Sequence, residues 1–462
     1  MCTHKQNLQE TRREARLDAS LMLSGTRPED NGFLPWNPAH DDWRDEMNLT
    51  RRTLMLAAAT APGLSRASAS APLPAPTSAR LPDRESFPGG DVVYLDSGTM
   101  HPISPGARAA LQTYMEHRSL DLGSRVKSGF DDDQVRKKFA RLINADSDEV
   151  AFVQSTTAGE NLILQALGLP EKGAHVVTDT LHFFGSFPAY EDLAKSGVEV
   201  TWLQQKEGRI SIDDVERAVR KGTRLVALSL VSTFNGFQHD LRRVCEIAHA
   251  KGALVYADIV HAAGCIPVDV RESGVDFAAC ASYKWLMGDF GLGFLYVRKD
   301  RQANLRRPQS GYYQISEFKT HVYPLDTPGD SVADYVRSDS AQGLFAIGTF
   351  AHPCLALLNH SLDYIGTLGV GAIQAHATSL TDHLKSELPK LGYQLYTPAE
   401  SKTPLVACVM KDARGRLSPR LDAAKVKITL SQNRFRVSVS VFNDMTDIDR
   451  LLSALGVQGT AA

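Results

Sequence analysis

The chain has 462 residues, 43% of them hydrophobic and 23% charged, with a formal net charge of −2. Such a balance suits a soluble globular protein with a sizeable core and two or three domains. It offers no basic stripe for nucleic acid, and no apolar run beyond the N-terminal region is long enough for a retained membrane span. Six scattered cysteines (Cys2, Cys245, Cys265, Cys280, Cys354, Cys408) form neither a close pair nor a metal-ligand spacing, so no metal site is expected. Cys265 and Cys280 lie in apolar surroundings and read as buried free thiols.

The first feature in chain order is an address. Residues 47–71 read MNLTRRTLMLAAATAPGLSRASASA. Arg51 and Arg52 precede a short apolar stretch, and Ala67-Ser68-Ala69 supplies a small-residue cleavage site. That order is the pattern of a twin-arginine secretory signal, which implies a periplasmic protein. Residues 1–46 are polar and charged, a poor prefix for a signal, so Met47 is the expected start. Residues 72–90 read as a proline-rich linker. Twin-arginine export moves folded proteins, the route needed by a protein that loads a cofactor before it leaves.

From Val150 short apolar runs alternate with helical stretches. The runs are VAFV (150–153), HVVTD (175–179), VEVTWL (198–203), LVALSLV (225–231), ALVYAD (253–258), FAACAS (277–282) and GFLYV (293–297). Nearly all-apolar strands separated by helices predict a mostly parallel seven-stranded sheet covered on both faces, within a large α/β domain at residues 91–345. From about residue 350 the pattern predicts one long helix, strands at 405–410 and 434–442, and a last helix from Thr446, a smaller α+β domain at 346–462.

In such sheets ligands bind beyond the carboxyl ends of the strands, so the polar residues there are the candidates. Thr156 and Thr157, with Gly159, open a helix after the first strand and could cradle an anion. His182 follows the second strand as a flat ring able to stack on a cofactor. Asp258 ends a buried strand, where a carboxylate needs a positive partner such as a pyridinium nitrogen, and His261 follows three residues later. Lys284 follows the next strand, as a Schiff-base nucleophile should, with Gly288, Gly291 and Gly293 behind it. Arg436 can take a substrate carboxylate through its planar guanidinium.

The order of these features resembles the class V aminotransferase-like family of pyridoxal 5′-phosphate enzymes, from VVYLDSGTMHPIS (92–104) to the C-terminus. The resemblance implies the fold-type I architecture and a homodimer. It implies that Thr156 and Thr157 meet the cofactor phosphate, Asp258 the ring nitrogen and His261 the ring, and that Lys284 anchors the cofactor. Ser282 and Tyr283 become candidate phosphate contacts, and Thr349 in AIGTF the residue that reaches the neighbouring subunit's phosphate. Arg436, in the pattern with Ser438, Phe442 and Asn443, becomes the carboxylate site. Asn235 stands two residues past the family's usual asparagine position and is taken as a substrate contact. Tyr283 replaces the histidine that desulfurases carry before the lysine, and residues 411–435 hold no cysteine, so desulfuration is not the expectation. The expected activity is transamination at the α-amino group of an amino acid or a peptide-linked one, with epimerisation and oxidative decarboxylation as alternatives. A twin-arginine-exported member of the family modifies a siderophore in pyoverdine maturation, and the combination of signal and motifs here is similar to it. A catalytically inactive binding protein of the same fold is the reading from another class. Asp258 and Lys284 both stand, which disfavours it.

Overall fold

The chain forms a seven-stranded sheet in the order β2-β8-β7-β6-β5-β3-β4, after β1 (Val93–Tyr94), which pairs elsewhere. Its strands are β2 (Val150–Val153), β3 (His175–Asp179), β4 (Glu199–Leu203), β5 (Thr223–Ser229), β6 (Leu254–Asp258), β7 (Phe277–Ala281) and β8 (Gly293–Val297). In this computed structural model β3 to β7 pair in parallel, and β8 runs antiparallel between β2 and β7. The described residues are 80–87, 89–120 and 131–456. Residues 1–46 and the signal at 47–71 lie outside them.

The central strands are mostly apolar because both faces are covered, whereas the edge strand β4 keeps Glu199 exposed. Alternation along β8 sends Phe294 and Tyr296 into one core and Leu295 and Val297 into the other. On the first face the ring of Phe294 stacks on Phe139, centroids 3.9 Å apart, fixing the helix Asp132–Leu142 against the sheet. On the second, Gly159 brings the helix Thr156–Ala166 so close that a Cβ there would lie 3.0 Å from that of Ala279.

Two strand pairs and a four-stranded sheet complete the strands of the described residues. β9 (Ile315–Thr320) and β10 (Ala333–Arg337) make an antiparallel hairpin that the sequence pattern did not announce. β11 (Gln394–Leu395), β12 (Leu405–Val409), β14 (Thr429–Leu430) and β15 (Arg434–Ser438) form a four-stranded sheet in the order β11-β12-β15-β14, and β13 (Val426–Lys427) pairs with β1.

Three sequence expectations need correction. The one long helix is two, His352–Leu368 and Val370–Lys390, because Gly369 takes φ +78° and breaks the ladder. The first of them buries Leu355, Leu358 and Ile365 in the same core as the large sheet. Val93 and Leu95 join the small-domain core, although they stand at the start of the stretch assigned to the large domain. Finally, the linker ends early. Phe87 is buried, the Asp83 N–H donates to Val441 O, and Arg84 pairs with Asp444 and Asp447. Among the described residues no helix is long and apolar enough to cross a membrane.

Candidate active site

Strand ends place the site. Ser229, Asp258 and Ala281 are the last residues of β5, β6 and β7, and Lys284 stands three residues past β7. A tight turn holds Lys284: the Gly288 N–H donates to Ser282 O and the Ser282 N–H to Leu292 O.

The lysine is buried, with Nζ 3.0 Å from His261 Nε2. The Trp285 indole N–H donates to His261 Nδ1 at 3.4 Å, and an indole can only donate. Nδ1 is therefore the acceptor, Nε2 carries the ring proton, and that proton points at the Lys284 nitrogen. Only an unprotonated amine can accept it. Burial, reinforced by the Arg436 charge and opposed by Asp258, pulls Lys284 down to about 8, which brings loss of its proton close to neutral pH. Burial and then the Lys284 charge keep His261 well below its ordinary value.

Asp258 is buried, with Oδ1 accepting from the Val260 N–H at 2.9 Å and Oδ2 3.4 Å from Ser229 Oγ. Burial raises its carboxyl above the usual range. His182 is fully buried: Nδ1 lies 2.8 Å from Ser229 Oγ and Nε2 2.9 Å from Glu160 Oε1. Ser186 Oγ and Tyr190 OH also donate to Glu160. Neither Glu160 nor Ser229 was singled out from the sequence. A glutamate in the second turn of a helix looks like an exposed one until the fold turns it inward.

Around the anion position, Ser155 caps the helix by accepting from the Ala158 N–H, and Thr156 Oγ1 accepts from the Ala281 N–H at 2.9 Å, tying that helix to the strand that carries Lys284. Thr157 stays exposed in the first turn. Ser282 is a correction: it is fully buried and its hydroxyl donates to Asp289 O, which commits it to the turn rather than to a phosphate. Tyr283 is half-buried, its ring stacked on Phe290 at 4.4 Å.

Arg436 lies on β15 but buried, facing the site across Thr99 and Thr233. Nη1 donates to Thr233 O (2.9 Å) and Oγ1 (2.7 Å), and Nη2 to Thr99 Oγ1 (2.9 Å) and Thr429 Oγ1 (3.0 Å). Nε has no partner, and Asp96 Oδ1 is 3.7 Å from Nη2. Burial lowers the guanidinium to about 10. A buried cation held mostly by neutral hydroxyls, with its one carboxylate neighbour as far as 3.7 Å, can take a further anion, since charge-assisted bonds are roughly twice as strong as neutral ones. Asn235 is a second correction. Its amide donates to Gly208 O and Tyr396 O and accepts from the Phe237 N–H, so it staples a loop to the small domain and has nothing left for a substrate. Thr349 is exposed, bonded to Tyr312 OH at 2.9 Å, and takes no part in this chain's own cluster.

The assembled set is a buried carboxylate, an amine of lowered basicity, a flat imidazole, a helix N-terminus and a carboxylate-seeking arginine. It fits pyridoxal 5′-phosphate: Asp258 for the ring nitrogen, Lys284 for the aldehyde carbon and the Thr156 helix end for the phosphate.

Comparison with known proteins agrees. The family model for class V aminotransferases matches residues 94–451. The chain belongs to that family. It is 31% identical over 323 residues to a probable cysteine desulfurase of Methanothermobacter thermautotrophicus, covering 66% of this chain and 75% of the relative. A probable cysteine desulfurase of Halalkalibacterium halodurans is 26% identical over 394 residues, 79% of this chain and 93% of the relative. Among solved structures, the apo cysteine desulfurase of Thermococcus onnurineus NA1 superposes with a TM-score of 0.71 at 22% identity, covering 82% of this chain and 99% of that one. A complex of the cystine C–S lyase C-DES with cysteine persulfide gives 0.70 at 18% identity, covering 80% and 98%. Both superpositions establish the fold-type I architecture.

Proposed function

We propose that this pyridoxal 5′-phosphate enzyme acts at the amino-bearing carbon of an amino acid or of a peptide's amino end, with transamination as its reaction. The observation that carries the reading is the buried Lys284 amine, lowered to about 8 and held 3.0 Å from His261 in a site that Arg436 also charges. Pyridoxal 5′-phosphate, when bound, supplies an electron sink for the carbanion left by loss of a Cα substituent. Arg436 binds and orients the substrate carboxylate, which sets the Cα–H bond toward Lys284. Lys284 Nζ takes that proton as general base and returns it elsewhere. His261 Nε2–H aims the amine's lone pair, and Asp258 holds a proton at the ring nitrogen.

A second reading is cleavage of a carbon–sulfur bond, favoured by the desulfurase names of the relatives. Storage of the sulfur on this chain's own thiol is not supported by the described cysteines, all of which are buried. Cys408 pairs with Phe435 while its neighbour Ala407 pairs with Arg436, so its thiol lies on the face away from the site. The sulfur would have to leave to a soluble acceptor. We further propose that a second copy of the chain brings Thr349 to this site, and that residues 47–71 direct twin-arginine export.

The test is product analysis. The purified protein, yellow with bound cofactor, is given L-amino acids with 2-keto acids, and separately L-cysteine or cystine. Amino-group exchange supports transamination; alanine with the sulfur passed to an added thiol, or pyruvate and ammonia with sulfide from cysteine or cysteine persulfide from cystine, replaces it with the second reading. A colourless protein whose spectrum added pyridoxal 5′-phosphate does not change, and which Lys284→Ala leaves the same, ends both.

A further inference from the structure

Hydrogen bonds around His182 can be assigned one by one. Glu160 receives three groups: His182 Nε2 at 2.9 Å, the hydroxyl of Ser186 and that of Tyr190. Hydroxyls have a proton to give, and a carboxylate with three donors around it has no need of its own, so His182 Nε2 carries a proton. At the other ring nitrogen, Ser229 Oγ is 2.8 Å from Nδ1, receives the Phe183 N–H at 3.1 Å and stands 3.4 Å from Asp258 Oδ2. Serine has a single proton. Were Nδ1 an acceptor, that proton would go to the ring and Asp258 would face a bare oxygen. With Nδ1 protonated, every contact closes: histidine to serine, serine to Asp258.

We propose that Glu160 is a positioning residue that holds His182 as an imidazolium, whose Nδ1–H is relayed through Ser229 to Asp258. The flat ring beside the cofactor position is then a cation flanked by two carboxylates. The groups facing it are Glu160 and Tyr190 from two helices, Asp179 from the end of β3 and Asp258 from the end of β6. Burial alone would lower the histidine, but Glu160 first, then Asp179 and Asp258, raise it above its ordinary value. Burial likewise opposes Glu160, which His182, Ser186 and Tyr190 nonetheless keep below the carboxylate range. The role of the relay is to direct a proton at Asp258 Oδ2, so that the oxygen left for the ring nitrogen is defined. That last consequence rests on the proposed function; the charge on His182 does not.

The experiment is NMR of the full-length protein as purified, carrying 13Cε1-labelled histidine, with the His182 signal assigned by its loss in His182→Asn. The expected result is an imidazolium shift that holds from pH 6 to above neutrality, and a midpoint in Glu160→Gln lower by about one to three pH units, the range for loss of an adjacent opposite charge. Glu160→Asp restores most of it. In the cofactor-loaded protein, the pH midpoint of the cofactor's absorption moves in Glu160→Gln and returns in Glu160→Asp, which a purely structural residue would not cause. A neutral-form His182 signal in the unmodified protein at pH 7, or a Glu160→Gln titration unchanged from it, overturns the proposal. The signal of the unmodified protein decides the matter even if Glu160→Gln fails to fold. A protein that never turns yellow refutes the proposed function while the His182 charge is still measured.

Discussion

Replacing Lys284 by methionine isolates the electrostatic cost of the lysine. Its ammonium would titrate at 10.5 in the unfolded chain and at about 8 in the fold. Between those pH values the unfolded chain binds the extra proton, so stability climbs as pH rises from 8 to 10.5 and is flat below 8. The difference of about 2.5 units corresponds to about 3 kcal/mol of lost stability at neutral pH, at about 1.4 kcal/mol per unit. Methionine keeps the buried stem and removes the charge, at the price of an unpaired His261 Nε2–H, about 1–3 kcal/mol. The cofactor-free Lys284→Met protein should therefore be equal to or up to about 2 kcal/mol more stable than the unmodified protein at pH 7 and less stable than it near pH 10. Denaturant midpoints of both cofactor-free proteins, followed by tryptophan fluorescence from pH 6.5 to 10.5, measure the crossing. A stability difference that does not change with pH refutes the assigned burial of the charge.

Other outcomes follow from the same geometry. Arg436→Lys loses the fork that a carboxylate fits, so KM for amino acids should rise by about 10- to 100-fold, the worth of one or two charged hydrogen bonds, with kcat changed far less; equal falls in kcat would argue against a binding role. Gly293→Ala puts a Cβ 2.6 Å from Cys280 O, a backbone atom, whereas Gly291→Ala meets nothing closer than 4.0 Å and pays only for φ +87°. Thermal unfolding should show the first to be the more destabilising, with about 1–2 kcal/mol for the second. Thr349→Ala should leave this chain's folding unchanged but weaken cofactor retention on dialysis, and a mixture with Lys284→Ala subunits should regain part of the lost retention if the threonine acts across a dimer.

Much of this molecule was legible in its sequence, for reasons of period and position. β2, β3 and β8 match the predicted runs at both ends, because a strand buried on both faces is mostly apolar and any polar residue in it needs a partner, as His175 finds in Thr201 and Thr223. The strand exits carry Asp258 and, just past β7, Lys284, so the order of chemistry along the chain followed from the order of strands. Local signals failed where the deciding neighbour was remote in sequence. Asn235 looked like a ligand contact, and only Gly208 and Tyr396, brought in from two other segments, showed its amide to be occupied. Arg436 looked equally at home on an open strand face until the fold buried it against Thr99 and Thr233.

What the sequence determined by itself is the α/β alternation, which depends on residue type and spacing, and, through its resemblance to a family, the cofactor class. What only the tertiary structure decided is the protonation of the site. Whether Lys284 is an amine, and whether the ring of His182 carries a charge, depends on His261, Trp285, Glu160 and Ser229 converging from separate elements within hydrogen-bond reach. Proton positions are set by distances of about 3 Å in a dry interior, and no periodicity encodes those.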